Sequence, residues 1–201
     1  SVTLTASWSQ IYYYIQLSAN GGEISNLSAG TNASLSGNLF YVPYYSTSYI
    51  YNNIKRDGYV FTGWMVSGTG LRSGRVVTPS FTTVDETTTS IRVTTYSYYV
   101  SSYRGAVMTF TAQWSPISYF IDYDSNKPSK ASSTVQGTVA TTSMIYDSTT
   151  TALAKNNFTL TGWTFRGWSQ NPNASDPTYL SGATPSRLNA TTLRGGSVTM
   201  Y

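Results

Sequence analysis

The sequence predicts a mainly β protein, built as two tandem small modules with mixed or antiparallel sheets and at most one short helix or crossover in each. Three observations lead there. Aromatic residues make up 15% of the chain and 18 residues are Tyr; Tyr, Thr, Val and Ile suit a pleated, half-buried surface. Charged residues are only 10%, whereas chains that stay unfolded are rich in charge and poor in aromatics. The third observation is an internal repeat.

Val2-Thr3-Leu4-Thr5-Ala6-Ser7-Trp8-Ser9 matches Met108-Thr109-Phe110-Thr111-Ala112-Gln113-Trp114-Ser115, an offset of 106 residues from Trp8 to Trp114. The offset persists downstream, where Ile11, Tyr13, Ile15 and Asn20 fall on Ile117, Tyr119, Ile121 and Asn126. A second block, Gly58-Tyr59-Val60-Phe61-Thr62-Gly63-Trp64, matches Gly162-Trp163-Thr164-Phe165-Arg166-Gly167-Trp168 with an offset of 104. Self-similarity at a fixed period marks repeat architecture. Residues 1–9 read as the last strand of a preceding repeat. Residues 10–115 read as one module, and 116–201 as a second that stops before its final Trp. The interval from Trp64 to Thr111 is 47 residues, against 33 from Trp168 to Tyr201, so the first module carries an insertion near 67–105.

The G-aromatic-x-F-x-G-W blocks and the closing Ala112-Gln113-Trp114 resemble the Listeria–Bacteroides repeat, the internalin B-type B-repeat of bacterial surface and secreted proteins. That resemblance implies a β-grasp-like module strung in tandem. Asn20-Gly21-Gly22 keeps the family's Asn-Gly-Gly, but Asn126-Lys127-Pro128 departs from it.

Alternation assigns the faces of the opening strands. Ile11, Tyr13, Ile15 and Leu17 share one face, as do Ile117, Tyr119, Ile121 and Tyr123, and these face the core. The opposite faces, Tyr12, Tyr14, Gln16 and Ser18 or Ser118, Phe120, Asp122 and Asp124, are mixed and half-wet. Asn20-Gly21-Gly22 signals a turn, because Gly takes positive φ without steric cost. In the central block, strict alternation sets Tyr59 and Phe61 on one face and Trp64 on the other. A Gly before a Trp marks a bulge or close approach, so Gly63 and Gly167 are expected to bend the strand and return Trp64 and Trp168 to the core. Residues 46–56, with Tyr49, Ile50 and Ile54 on one side and Gly58 past the end, read as a helix; residues 150–157 are its weaker counterpart. Within the insertion, residues 90–103 read as an extra strand or hairpin, since Ile91, Val93, Thr95, Ser97 and Tyr99 alternate with the residues between them.

The chemistry that remains is sparse. The chain has no Cys and no His, which excludes a disulfide framework and a zinc or haem ligand set. Twelve Lys and Arg against eight Asp and Glu give a net charge of +4, and no basic cluster exceeds Lys55-Arg56. A nucleic-acid binder needs a dense basic stripe, so no nucleic acid is expected, and no apolar run is long enough to insert in a membrane. Asp122 and Asp124 could act as paired carboxylates, or with Asn126 open a calcium loop. Lys127 and Pro128 interrupt the loop pattern, and the first module has Gln16 and Ser18 in place of the acids, which makes solvated side chains at a strand end the better reading. Neither catalytic residues nor a metal or other cofactor is expected.

Tyr faces stack on sugars and anchor interfaces. Tyr96, Tyr98, Tyr99, Tyr103, Tyr12 and Tyr14 are the candidate ligand contacts, set against the simpler reading that Tyr fills strands. Gly58, Phe61, Gly63, Trp64, Gly162, Phe165, Gly167, Trp168, Trp8 and Trp114 form the structural motif. The function expected is a spacer repeat of a bacterial cell-surface or secreted adhesin-like protein, not an enzyme, making a semi-rigid extracellular stalk. The alternative is an adhesive module that meets a glycan or protein through the Tyr-rich insertion. Its partners would be neighbouring repeats in the same chain and a host or environmental glycan or protein. Uncharged Thr- and Tyr-rich strand edges leave lateral self-association open.

Overall fold

A computed structural model describes residues 2–68, 76–77, 80–81, 88–94 and 105–201. The described residues are mainly β, with no helix. The chain divides into two compact units, Ser1–Ser115 and Pro116–Tyr201.

The first unit contains β1 (Tyr12–Ser18), β2 (Glu23–Ala29), β3 (Ser34–Ser36), β4 (Leu39–Pro43), β5 (Thr47–Lys55), β6 (Tyr59–Gly68), β7 (Val76–Val77), β8 (Ser80–Phe81), β9 (Thr88–Thr94) and β10 (Val107–Pro116), the last of which runs one residue past the boundary. They form a six-stranded sheet in the order β3-β4-β1-β10-β6-β7 and a four-stranded sheet in the order β2-β5-β9-β8. Strand β1 lies between β4, antiparallel, and β10, parallel. Tyr13, Ile15, Phe40, Val42, Met108 and Phe110 from the first sheet and Ile50, Ile54, Ile91 and Val93 from the second are buried in one core.

The second unit contains β11 (Ser118–Tyr123), β12 (Thr142–Ile145) and β13 (Ser197–Met200) in one sheet, with β11 central. Here too the central strand has an antiparallel neighbour, β12, and a parallel one, β13. The registers correspond: Leu17 pairs with Phe110 and Tyr123 with Met200. The bond from Tyr44 N to Ile11 O, 2.8 Å, has its counterpart from Tyr146 N to Ile117 O, 2.9 Å, and that from Tyr14 N to Ala106 O, 3.0 Å, from Phe120 N to Gly196 O, 2.8 Å. Tyr119, Ile121, Met144, Leu153, Trp168 and Met200 make the core.

Two expectations need correction. Residues 46–56 are not a helix: they hold strand β5, paired with β2 and β9. The strand buries every second residue, Ser48, Ile50, Asn52 and Ile54. Two of the four are polar, so the period of 2 is invisible to a hydrophobic scan. Hydrogen bonds offset part of the cost of burying those polar groups: Ser48 Oγ donates to Asn32 O at 2.8 Å, and Thr89 Oγ1 donates to Asn52 Oδ1 at 2.9 Å, while Asn52 Nδ2 is buried with no partner among the described residues. Residues 150–157 form neither helix nor strand, and Leu153 alone among them is buried. Residues 2–9 join no sheet: Val2, Leu4 and Trp8 are 90%, 91% and 92% exposed. The residues they match in β10 are held by β1 and β6, and residues 2–9 have no such strands beside them among the described residues.

The insertion contributes β9, whose Ile91 and Val93 are fully buried. Thr95, Ser97 and Tyr99 of the expected hairpin lie outside the described residues.

Tyr13 and Tyr119 occupy matched places, and burial pushes both phenols above the ordinary tyrosine range. A raised folded-state value means that ionisation favours the unfolded chain. Both units therefore keep this contribution below pH of about 10 and lose it as pH rises through the folded value; thermal melts across that range check the sign, and Tyr→Phe at either position flattens the slope. Truncation of a fully buried side chain costs about 2–5 kcal/mol, so Ile91→Ala should lower the first unit's stability by that amount in urea unfolding.

Candidate functional site

The central block shows how a strand can present an aromatic to the core on both sides of a glycine. In β6, Phe61 and Gly63 are buried and Thr62 is exposed, but Trp64 is buried as well and Met65 is exposed. The alternation slips by one residue at Gly63, whose φ is 142°, a region that side chains other than glycine avoid. Gly167 has the same conformation at 150°, and Trp168, like Trp64, has no exposed surface. Trp168 packs against Tyr123 and Phe165, each with its ring centre 4.7 Å away, and its Nε1 donates to Ala154 O at 3.0 Å. A Cβ on Gly167 would run into the Tyr179 carbonyl oxygen and lie 2.7 Å from Pro177 Cβ.

Beside this tryptophan the second unit opens a groove of about 940 Å³, within the range of small-ligand and peptide sites. Phe165 and Trp163 line it, 37% and 48% exposed. Asn126, Gln136 and Asn156 supply amides, and Arg166 pairs with Asp176 at 2.6 Å. Exposed ring faces beside amides suit a flat ring or an extended peptide. Alternation alone does not reveal the groove, because its walls come from residues scattered between 125 and 201. The signal that was available is the second G-aromatic-x-F-x-G-W block, whose Phe and leading aromatic stay half-exposed.

The other candidates fall as follows. Tyr96, Tyr98, Tyr99 and Tyr103 lie outside the described residues. Tyr12 and Tyr14 stand on the face of β1 opposite Tyr13 and Ile15, with Tyr14 edge-on to Tyr41 at 5.0 Å, and they take no part in the groove. Asp122 Oδ1 accepts from Thr141 Oγ1 at 2.6 Å. Asp124, one residue past β11, accepts from Asn126 N at 2.6 Å, and the Asn126 side chain donates to Pro172 O at 2.7 Å. Asp122 thus ties β11 to the residue ahead of β12, and Asp124 serves a local turn. Gly58 and Gly162 both hold positive φ, 77° and 80°, as turn residues ahead of the Trp-bearing segments. Trp114 is seated against the first unit's core, whereas Trp8 is not part of any core.

No family model, no curated protein and no solved structure matches the chain.

Gly167→Ala should destabilise the second unit by about 1–3 kcal/mol or more, from backbone strain and overlap combined. Gly162→Ala, where a Cβ meets nothing within 4 Å, should cost only the positive-φ penalty of about 1–2 kcal/mol. Chemical denaturation of the two variants side by side tests the ranking.

Proposed function

We propose that this chain is a spacer segment of a bacterial cell-surface or secreted adhesin-like protein, in which tandem modules form a semi-rigid extracellular stalk. The observation that carries the reading is the shared strand plan: each unit has a central strand with one antiparallel and one parallel neighbour at corresponding registers. Modules that each bury their own core lengthen a protein by addition, and each unit here has a core of its own. The connection also supports limited flexing. Strand β10 ends at Pro116 and β11 starts at Ser118, which leaves Ile117 alone outside strand, and proline restricts both itself and the residue before it. The paucity of charge and the motif resemblance to surface-protein repeats point the same way.

The adhesive alternative rested on the asymmetric insertion. Part of that insertion serves the first unit's core, through Ile91 and Val93 on β9, so the insertion has a structural use that needs no ligand.

Small-angle scattering of the monomeric chain tests the proposal. A compact protein of 201 residues has a radius of gyration of roughly 16–17 Å. A clearly larger value with a rod-like distance distribution is expected; a value at the compact limit contradicts a stalk.

A further inference from the structure

The first and last strands of the first unit lie side by side and run the same way. Register pairs join Tyr14, Ile15, Gln16, Leu17 and Ser18 of β1 to Val107, Met108, Thr109, Phe110 and Thr111 of β10. Two bonds open the seam, Gly105 N to Tyr12 O at 3.3 Å and Tyr14 N to Ala106 O at 3.0 Å. In a parallel pair the rungs are evenly spaced along the strands. Side chains continue the seam past its last register pair: Asn20 Nδ2 donates to Ala112 O and Trp114 Nε1 to Ala19 O, each at 2.9 Å.

The chain enters β1 at Tyr12 and leaves β10 at Pro116. Because the strands are parallel, those two points lie at opposite ends of the seam. Tension applied through the chain on either side of the unit slides β1 along β10 and does not prise one end open. Sliding loads all the rungs together, whereas peeling loads them one at a time.

Packing adds to the resistance. Tyr13 and Ile15 of β1 and Met108, Phe110 and Ala112 of β10 are fully buried in one core. A slip of one residue, about 3.3 Å, turns every side chain of the moving strand to the other face. Tyr13 and Ile15 would then leave the core. Both strands are also held on their far sides, β1 by β4 and β10 by β6.

The second unit follows the same plan. Phe120, Ile121, Asp122 and Tyr123 pair in parallel with Ser197, Val198, Thr199 and Met200. Bonds from Gly195 N to Ser118 O and from Phe120 N to Gly196 O, both 2.8 Å, stand where the first unit has Gly105 with Tyr12 and Tyr14 with Ala106. Strand β10 ends at Pro116 and β11 starts at Ser118, so tension leaving the first seam reaches the second through Ile117 alone.

We propose that the seam between β1 and β10 is a mechanical clamp, and that bearing tension along the chain is part of what this protein does. The use of the clamp in a stalk rests on the spacer reading; the resistance itself rests on strand order and direction.

Single-molecule force spectroscopy on the full chain tests it. The chain has no Cys, so introduced cysteines give unique handles. Handles at Gln10→Cys and Ser115→Cys load the seam in shear. Handles at Gln10→Cys and Val107→Cys sit at one end of the seam and peel it. Gln10 and Ser115 are exposed and Val107 is 40% exposed, so these changes spare the core, and urea unfolding checks that the two chains start from equal stability. Rupture under force follows the unfolding rate. At one loading rate the shear pair should need at least about twofold the force of the peeling pair, since the rungs share the load. Trp114→Phe removes the bond to Ala19 at the far end of the seam; it should lower the shear force and leave the peeling force unchanged. Equal forces for the two handle pairs, a peeling force above the shear force, or a Trp114→Phe change that lowers both alike would overturn the clamp. A compact monomer in scattering would contradict the stalk and leave the difference between these forces untouched.

Discussion

The parallel pairing of the opening strand with the closing strand holds each unit together. Strands β1 and β10 are joined by nearly the whole of the first unit, and β11 and β13 by nearly the whole of the second. Closing a loop of this size costs entropy, but the cost grows only slowly with length. The return is that everything between is tied to one central strand. Tyr13 and Ile15, or Tyr119 and Ile121, then sit on a strand flanked on both sides and are fully buried. Neither core could be assembled from sequence neighbours.

The glycine ahead of each tryptophan is the second constraint. A strand offers one face to the core, and Phe and Trp three residues apart cannot both lie on it without a slip in phase. Gly63 supplies the slip in β6, at a φ that an L side chain avoids; Gly167 holds a similar φ in a segment outside any strand, where Phe165 is exposed and Trp168 is buried. In the first unit this places Phe61 between two tryptophans, Trp64 at 5.1 Å and Trp114 at 5.5 Å. In the second, Phe165 packs on Trp168 on one side and faces the groove on the other. Phe61 is 3% exposed and Phe165 37%.

The two units also differ in how they cover the central sheet. The first adds a complete second layer, β2-β5-β9-β8, including a strand from the insertion. The second covers its sheet with irregular chain pinned by two isolated bridges, Gln136 with Thr159 and Trp168 with Tyr179, and by side-chain bonds such as Asp147 N to Asn189 Oδ1 at 2.7 Å. Polar side chains do there what ladder bonds do in the first unit. That is a structural use for a composition rich in Ser, Thr and Asn, whose short side chains readily bond nearby backbone.

The sequence by itself determined the β class, the two-unit division and the core faces of β1 and β11, because alternation and internal matching are local and can be read along the chain. It also contained the glycine signal for the buried tryptophans. Tertiary structure decided the rest. Strand β5 resembles a helix in sequence because Ser48 and Asn52 interrupt its apolar period; inside the fold, Asn32 and Thr89, distant in sequence, bond Ser48 Oγ and Asn52 Oδ1. The groove likewise gathers residues spread between 125 and 201, which only the fold brings together. Periodicity reports which face a residue prefers, but the partner that satisfies a buried polar atom or covers an aromatic ring is chosen by the fold.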